Sequence, residues 1–323
     1  MMNNFEYVKA GSLAEAIKAL SVKGAWVHAG GTDLLGCARS EIIQVDKVVS
    51  LSGLKQLKGI STQPDGGIKI GALTPLAEIA AHAAIAAKYS VLAQAAASVG
   101  SPQIRQQGTV AGNLCQKPRC WYYRTDIQCR KKGGTKCYAM GGENQYHAIF
   151  GGGPCFFVHP SDVAVALVAL QAQISIAGRT GNKAVNIENF FVSPKTSVDK
   201  ENVLLSGDIV TEIRIPPIAG NAKTLYRKIA ARGSWDSALV SVAAMVQIEN
   251  DTARAARIVL GGVAPHPWRI EAAEKLLIGK KLDPAAATAA AEAAVAGAMP
   301  LRDNAYKVEM VKGAVEEALN ALI

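Results

Sequence analysis

Residues 25–36 read AWVHAGGTDLLG, and the parsing of this stretch decides the fold. AWVH reads as a strand, Gly30–Gly31 as a tight loop, and the following apolar residues as a helix start. Upstream, FEYVKA is a short strand. Ser12 and Glu15 then make a capping box for a helix with Leu13, Ala16, Ile17 and Leu20 on one face. Downstream, VDKVVSL reads as another strand, so the first unit alternates strand and helix. A strand, a two-glycine loop and a helix start form a recurrent phosphate cradle, because glycine lets backbone N–H groups face an anion with no Cβ in the way. The stretch is neither GxGxxG nor a Walker loop, since no Lys-Ser/Thr pair follows. Alone, Gly30–Gly31 is weak evidence for a cradle, and a plain strand-to-helix turn is the better reading.

From Leu54 to Pro217 the pattern changes. LKGI and IKIGAL flank QPDGG and read as a hairpin. Thr74-Pro75 predicts a helix with proline at its first position, and further helices run over 76–82 and 91–99. GSPQIRQQGTVAGNL, residues 100–114, is a second glycine-and-hydroxyl stretch suited to backbone contacts, and two such stretches favour a dinucleotide site. Pro160 and Ser161 open a helix with Asp162 in its first turn and Ala164, Leu167, Val168 and Leu170 on an apolar face. ISIAG and KAVNI flank the turn RTGN, and DIVTEIRIP closes the unit as an amphipathic strand. Beyond a Pro/Gly linker, TLYRKIAAR, ALVSVAAMVQIE and ARAARIVLGGVA predict three strands. Helices follow over 269–277, 284–296 and 304–322.

Half of the 323 residues are hydrophobic, which predicts large buried cores. The Ala-rich run 80–97 is interrupted by His82, Lys88 and Gln94, so it falls short of the about 18 uninterrupted apolar residues of a membrane span. The N-terminus lacks a basic start followed by an apolar core, so no signal peptide is expected. The net charge of +9 fits either a nucleic-acid binder or compensation for bound anions. No basic tract interleaved with aromatics dominates, which disfavours nucleic acid.

Four of the six cysteines fall between Cys120 and Cys155 with spacing Cx8Cx7Cx17C. A disulfide scaffold is not expected in a chain of this size without a secretory signal. Structural zinc usually presents CxxC pairs, which are missing here, whereas an iron–sulfur cube tolerates wider spacing because each thiolate binds a different corner. Residues 115–160 carry seven basic side chains against two acidic ones, apt company for thiolates. The spacing leaves a cluster, a zinc site or a solvated basic loop open, and it leaves Cys115 open as a ligand. Cys37, outside this block, reads as a small buried hydrophobe on a helix.

AGGTDLL (29–35), QGTVAGNL (107–114), PSDVAVALVAL (160–170), YRKIAARGSWDSALVSVAA (226–244) and GGVAPHPWR (261–269) together resemble the FAD-binding medium subunit of the molybdenum hydroxylase (xanthine dehydrogenase) family. The likeness spans essentially the whole chain, in order. In ordinary members only a few residues separate the second and third motifs. The cysteine block between them resembles a subgroup carrying an extra 4Fe–4S cluster: the FAD subunit of aldehyde oxidoreductases and the beta subunit of 4-hydroxybenzoyl-CoA reductase, with the former closer.

This resemblance implies an α+β chain. A two-subdomain FAD-binding fold of the vanillyl-alcohol-oxidase/PCMH type would occupy residues 1–53 and 54–217, including an iron–sulfur insertion over 115–160. Residues 223–323 would form a C-terminal domain with a three-stranded antiparallel sheet and helices. It implies FAD contacts at Val27, His28, Ala29, Gly30, Gly31, Thr32, Asp33 and Leu34. Gly100, Thr109, Gly112 and Asn113 would line the other side, Ser161 and Asp162 would bind polar groups, and Val210 and Lys228 would sit by the isoalloxazine. Cys120, Cys129, Cys137 and Cys155 would be the cluster ligands, with Cys115 spare and the FAD contacts outside the insertion. No catalytic residue is implied, because substrate chemistry would belong to a molybdopterin-binding large subunit. Electrons would pass through a 2Fe–2S small subunit to FAD and then to an external acceptor. The complex would be a heterotrimer or a dimer of heterotrimers, without nucleic acid or membrane insertion, cytoplasmic or exported to the periplasm with a signal-bearing partner. A stand-alone flavin oxidoreductase and a zinc-stabilised basic interaction protein are the rival readings.

Overall fold

The computed structural model describes residues 3–323. Its first sheet joins β1 (Glu6–Lys9), β3 (Lys47–Ser50) and β2 (Ala25–His28) in that order, all parallel. Parallel neighbours need crossovers. These are supplied by α1 (Leu13–Leu20) and by α2 (Leu34–Arg39), the helix that leaves the glycine loop. Ser12 caps α1 as expected, but the Glu15 carboxylate returns to the Gly11 N–H, one residue earlier than a capping box requires.

The second sheet is antiparallel, in the order β4 (Ile60–Thr62), β5 (Ile68–Gly71), β8 (Ile209–Ile215), β6 (Gln173–Gly178), β7 (Gly181–Asn186). The expected hairpins form, yet the central pairing joins β5 to a strand about 140 residues later, which no local pattern announces. Helices α3 (Leu76–Ala81), α4 (Ala83–Lys88), α5 (Ser90–Ala97), α6 (Pro102–Gln107) and α7 (Val110–Leu114) follow β5. Pro75 is the extended cap of α3 instead of its first helical residue. His82 is extended and divides α3 from α4, a break that the uniform alanine run conceals. Helix α6 occupies part of the second glycine stretch, with Ser101 as its cap and Pro102 at its first position.

Helix α8 (Asp162–Ala169) begins where expected, with Ser161 as cap. It has no polar face: all eight residues are buried. One side meets α5, and the other meets the last sheet. That sheet has four strands, not the expected three: β9 (Ala222–Ile229), β10 (Val240–Glu249), β11 (Thr252–Gly261) and β12 (Trp268–Arg269), antiparallel throughout. The added strand is two residues long and follows Pro265 and Pro267, so it shows no alternation to read. Helices α9 (Glu271–Leu277), α10 (Pro284–Ala293) and α11 (Tyr306–Asn320) cover the far face. Alternate residues of β10 therefore enter two cores. Ala243 and Met245 pack with α8 and α5, while Val242, Ala244 and Val246 pack with the C-terminal helices. Coverage on both faces explains why the run VSVAAMV is almost wholly apolar. No helix among the described residues is long and apolar enough to cross a membrane.

Candidate functional site

The two glycine stretches meet. A Cβ on Gly30 would lie 1.9 Å from the Gln107 carbonyl oxygen, so only glycine permits this approach. Gly31 has φ +72°, a conformation that side chains resist. Among the described residues, the N–H groups of Gly30, Gly31, Thr32 and Asp33 donate to no acceptor within the chain. A row of such free donors at a turn is suited to an anion.

This turn forms one wall of a cleft of about 770 Å³, within the range of roughly 300–1,000 Å³ usual for small-molecule sites. Of the expected contacts, Val27, Ala29, Gly30, Gly31, Thr32, Asp33, Leu34, Gly100, Thr109, Gly112, Asn113, Asp162 and Val210 line it. His28, Ser161 and Lys228 are set behind the wall. The His28 ring lies beneath Gly31, and burial lowers its pKa. The Ser161 hydroxyl donates to Asn113 Oδ1 and accepts from the Ala164 N–H, holding the starts of two segments together.

Asp162 is buried, and both its oxygens are engaged. Tyr226 Oη donates to Oδ1 at 2.6 Å and Lys228 Nζ to Oδ2 at 2.8 Å. Burial raises the Asp162 carboxyl above its ordinary value, against the opposing pull of Lys228. Lys228 also donates to the Ser98 and Asp236 carbonyls, so its three donors are occupied. The lysine is an anchor between β9 and α8, and neither a surface residue nor a free cation.

The sequence reading missed part of the wall. Cys115, Gln116, Lys117 and Arg119, at the start of the insertion, line the cleft, as do Glu201 and the segment 204–209. Arg232, Trp235 and Asp236 stand at its edge, with Trp235 in a left-handed conformation. Nothing in a polar loop such as DKENV marks Glu201 in advance. Asp33 binds the insertion directly: its carboxylate accepts from the Lys117 N–H and from Arg124, both at 2.8 Å, with Arg119 at 3.2 Å. Arg124 also donates to the buried Cys37 sulfur.

Cys120, Cys129, Cys137 and Cys155 line one small void with Tyr122, Tyr123, Tyr138, Phe157, Arg130 and Lys131. Cys115 belongs to the larger cleft. The loops that gather the four thiols depend on close backbone approach: a Cβ on Gly134 would lie 2.0 Å from the Gln128 carbonyl. Cys120 Sγ lies 3.2 Å from His147 Nε2. A hydrogen bond between Cys137 and Cys155 pulls the first thiol's pKa down and pushes the second's up. Among the described residues, no group of three or more His, Cys, Asp or Glu side chains is placed to hold a metal ion. The four sulfurs share one void.

A family model described as the FAD binding domain in molybdopterin dehydrogenase matches residues 3–218. The chain belongs to the FAD-binding medium subunits of the molybdenum hydroxylases. A second model, the CO dehydrogenase flavoprotein C-terminal domain, matches residues 225–322 of this medium subunit. Among its relatives, the aldehyde oxidoreductase FAD-binding subunit PaoB of Escherichia coli (strain K12) is 36% identical over 323 residues, covering 98% of each chain. The carbon monoxide dehydrogenase medium chain of Hydrogenophaga pseudoflava is 27% identical over 325 residues, covering 98% of this chain and 96% of its own. A solved structure of the carbon monoxide dehydrogenase from that organism superposes with a TM-score of 0.80 at 26% identity, over 100% of this chain and 98% of its counterpart. The mixed α/β architecture is thus that of an FAD-binding oxidoreductase subunit, and the free N–H groups at the turn after β2 fit a diphosphate.

Proposed function

We propose that this medium subunit carries electrons within a molybdenum hydroxylase that oxidises aldehydes, with FAD in the large cleft and a 4Fe–4S cluster on the four thiols. The observation that carries the reading is the joining of the two glycine stretches into one cradle, with a void lined by four cysteines behind the same wall. Bound FAD would supply the exchange between one-electron and two-electron carriers. The chain's own part is to hold it. The N–H groups of residues 30–33 would receive the diphosphate, while Thr109, Gly112 and Asn113 would close the opposite side. Asp162 would present its polar edge, already set by Tyr226 and Lys228. A proposed division into residues 1–53, 54–217 and 223–323 places the cofactors in the first two parts.

The cysteine proposal rests on donor chemistry. Four thiols around one void, in a basic block without CxxC pairs, suit a polynuclear centre better than a single zinc ion. Substrate oxidation would take place on a molybdopterin-binding partner, and a 2Fe–2S partner would deliver the electrons, as the likeness to aldehyde oxidoreductase and carbon monoxide dehydrogenase subunits supports.

An absorption spectrum and metal analysis of the isolated subunit test this. Flavin bands with a broad brown shoulder and stoichiometric iron are expected. Colourless protein containing stoichiometric zinc would end the proposal. Cys129→Ser should lose its iron. Since residues 115–119 form part of the cleft wall, its flavin content should also fall, by a smaller factor, as measured by iron and flavin per protein. Full flavin retention would mean that the wall is independent of the thiol site.

A further inference from the structure

One side chain touches the surroundings of both cavities. Glu201 lies on the wall of the large cleft with its side chain only 6% exposed. Its Oε2 accepts from Lys117 Nζ at 2.7 Å, and its Oε1 lies 2.7 Å from Lys131 Nζ. The two lysines face different cavities: Lys117 lines the large cleft, and Lys131 lines the thiol void. Lys131 is held further by the Val198 carbonyl at 2.8 Å and by the Phe157 ring, 4.7 Å from its nitrogen to the ring centre. Burial alone pushes the Glu201 carboxyl up, but the two ammonium groups overcome that and hold it below the usual carboxylate range.

A buried anion shared between two cations is screened less than a surface charge, and its field extends to both sites. We propose that Glu201 is a positioning residue coupling the two redox sites: it orients Lys117 toward the flavin cleft and Lys131 toward the thiol void, and its charge helps set the reduction potential of both. This rests on the flavin and iron–sulfur reading above. Each electron added to either site increases its negative charge, so a fixed anion nearby opposes reduction. Removing that anion favours reduction on both sides.

The test is a redox titration of the holoenzyme, following flavin absorbance and the paramagnetic signal of the reduced cluster, in wild type and Glu201→Gln. Both midpoint potentials should shift to more positive values. In Lys131→Met, which keeps the Glu201–Lys117 pair, the cluster's midpoint should shift negative and the flavin's should move less. Unshifted potentials in Glu201→Gln, with only a lowered melting temperature, would reduce Glu201 to a structural anchor and overturn the coupling. If Glu201→Gln fails to accumulate as folded protein, Lys131→Met decides alone, and an unmoved cluster potential overturns the proposal. Wild-type protein with flavin but no iron would instead remove the cluster reading, and the coupling with it, so the two failures are distinguishable.

Discussion

Gly30 shows how a single hydrogen atom can decide a binding cleft. With the Gln107 carbonyl 1.9 Å from where a Cβ would sit, Gly30→Ala must push the two glycine stretches apart. Overpacking of this kind costs about 1–3 kcal/mol. Because it distorts the cradle itself, flavin affinity should fall by about tenfold or more, a titration of apoprotein with FAD providing the check. The glycines were readable in the sequence as a loop, because few residues tolerate such turns. Their partner was not, since Gln107 lies 77 positions away and contributes only a backbone oxygen. Lys228 illustrates the opposite case: its position on a strand was readable, but the three acceptors that occupy it come from separate segments.

At the level of elements, the insertion is closed at its ends by His159. Its Nδ1 accepts from the Ser161 N–H at 3.3 Å, at the start of α8, while Nε2 faces the Leu114 carbonyl at 3.3 Å, at the end of α7. The neutral ring with its proton on Nε2 satisfies both partners. A second proton on Nδ1 would oppose the Ser161 N–H. Burial accordingly lowers the His159 pKa from 6.5 to about 4, and His147, beside Cys120, is lowered to about 4 by burial and by Lys307. Between those values the unfolded chain holds the proton and the native protein does not. Stability from each ring is therefore complete above 6.5 and is lost as the pH falls toward about 4, by up to the order of 3 kcal/mol per histidine. Urea midpoints should be lower at about pH 5 than at about pH 7.5, and His159→Gln should flatten that dependence. An unchanged slope in the variant would exclude His159 as a source. The block stood out in composition, but its clasp did not, because His159 looks like any histidine before a proline.

The whole molecule is organised around α8, which is buried between α5 and the four-stranded sheet. Leu167→Ala should cost about 2–5 kcal/mol. Because the helix contributes to a core shared with the β5–β8 sheet and with β10 and β11, loss of secondary structure and release of flavin should coincide in one denaturation transition. Two separate transitions would show that the units flanking α8 unfold independently. Sequence alone determined most elements of this medium subunit, the four-cysteine block and the two glycine stretches, because these follow from local periodicity, caps and composition. The ordered set of motifs also pointed to the family. Tertiary structure decided the pairing of β5 with β8, the fourth strand at Trp268–Arg269, the burial of α8 on all sides and the place of Glu201 between two cavities. Each depends on backbone or charged groups distant in sequence, whose meeting follows from how the sheets and helices pack and leaves no periodic trace in the chain.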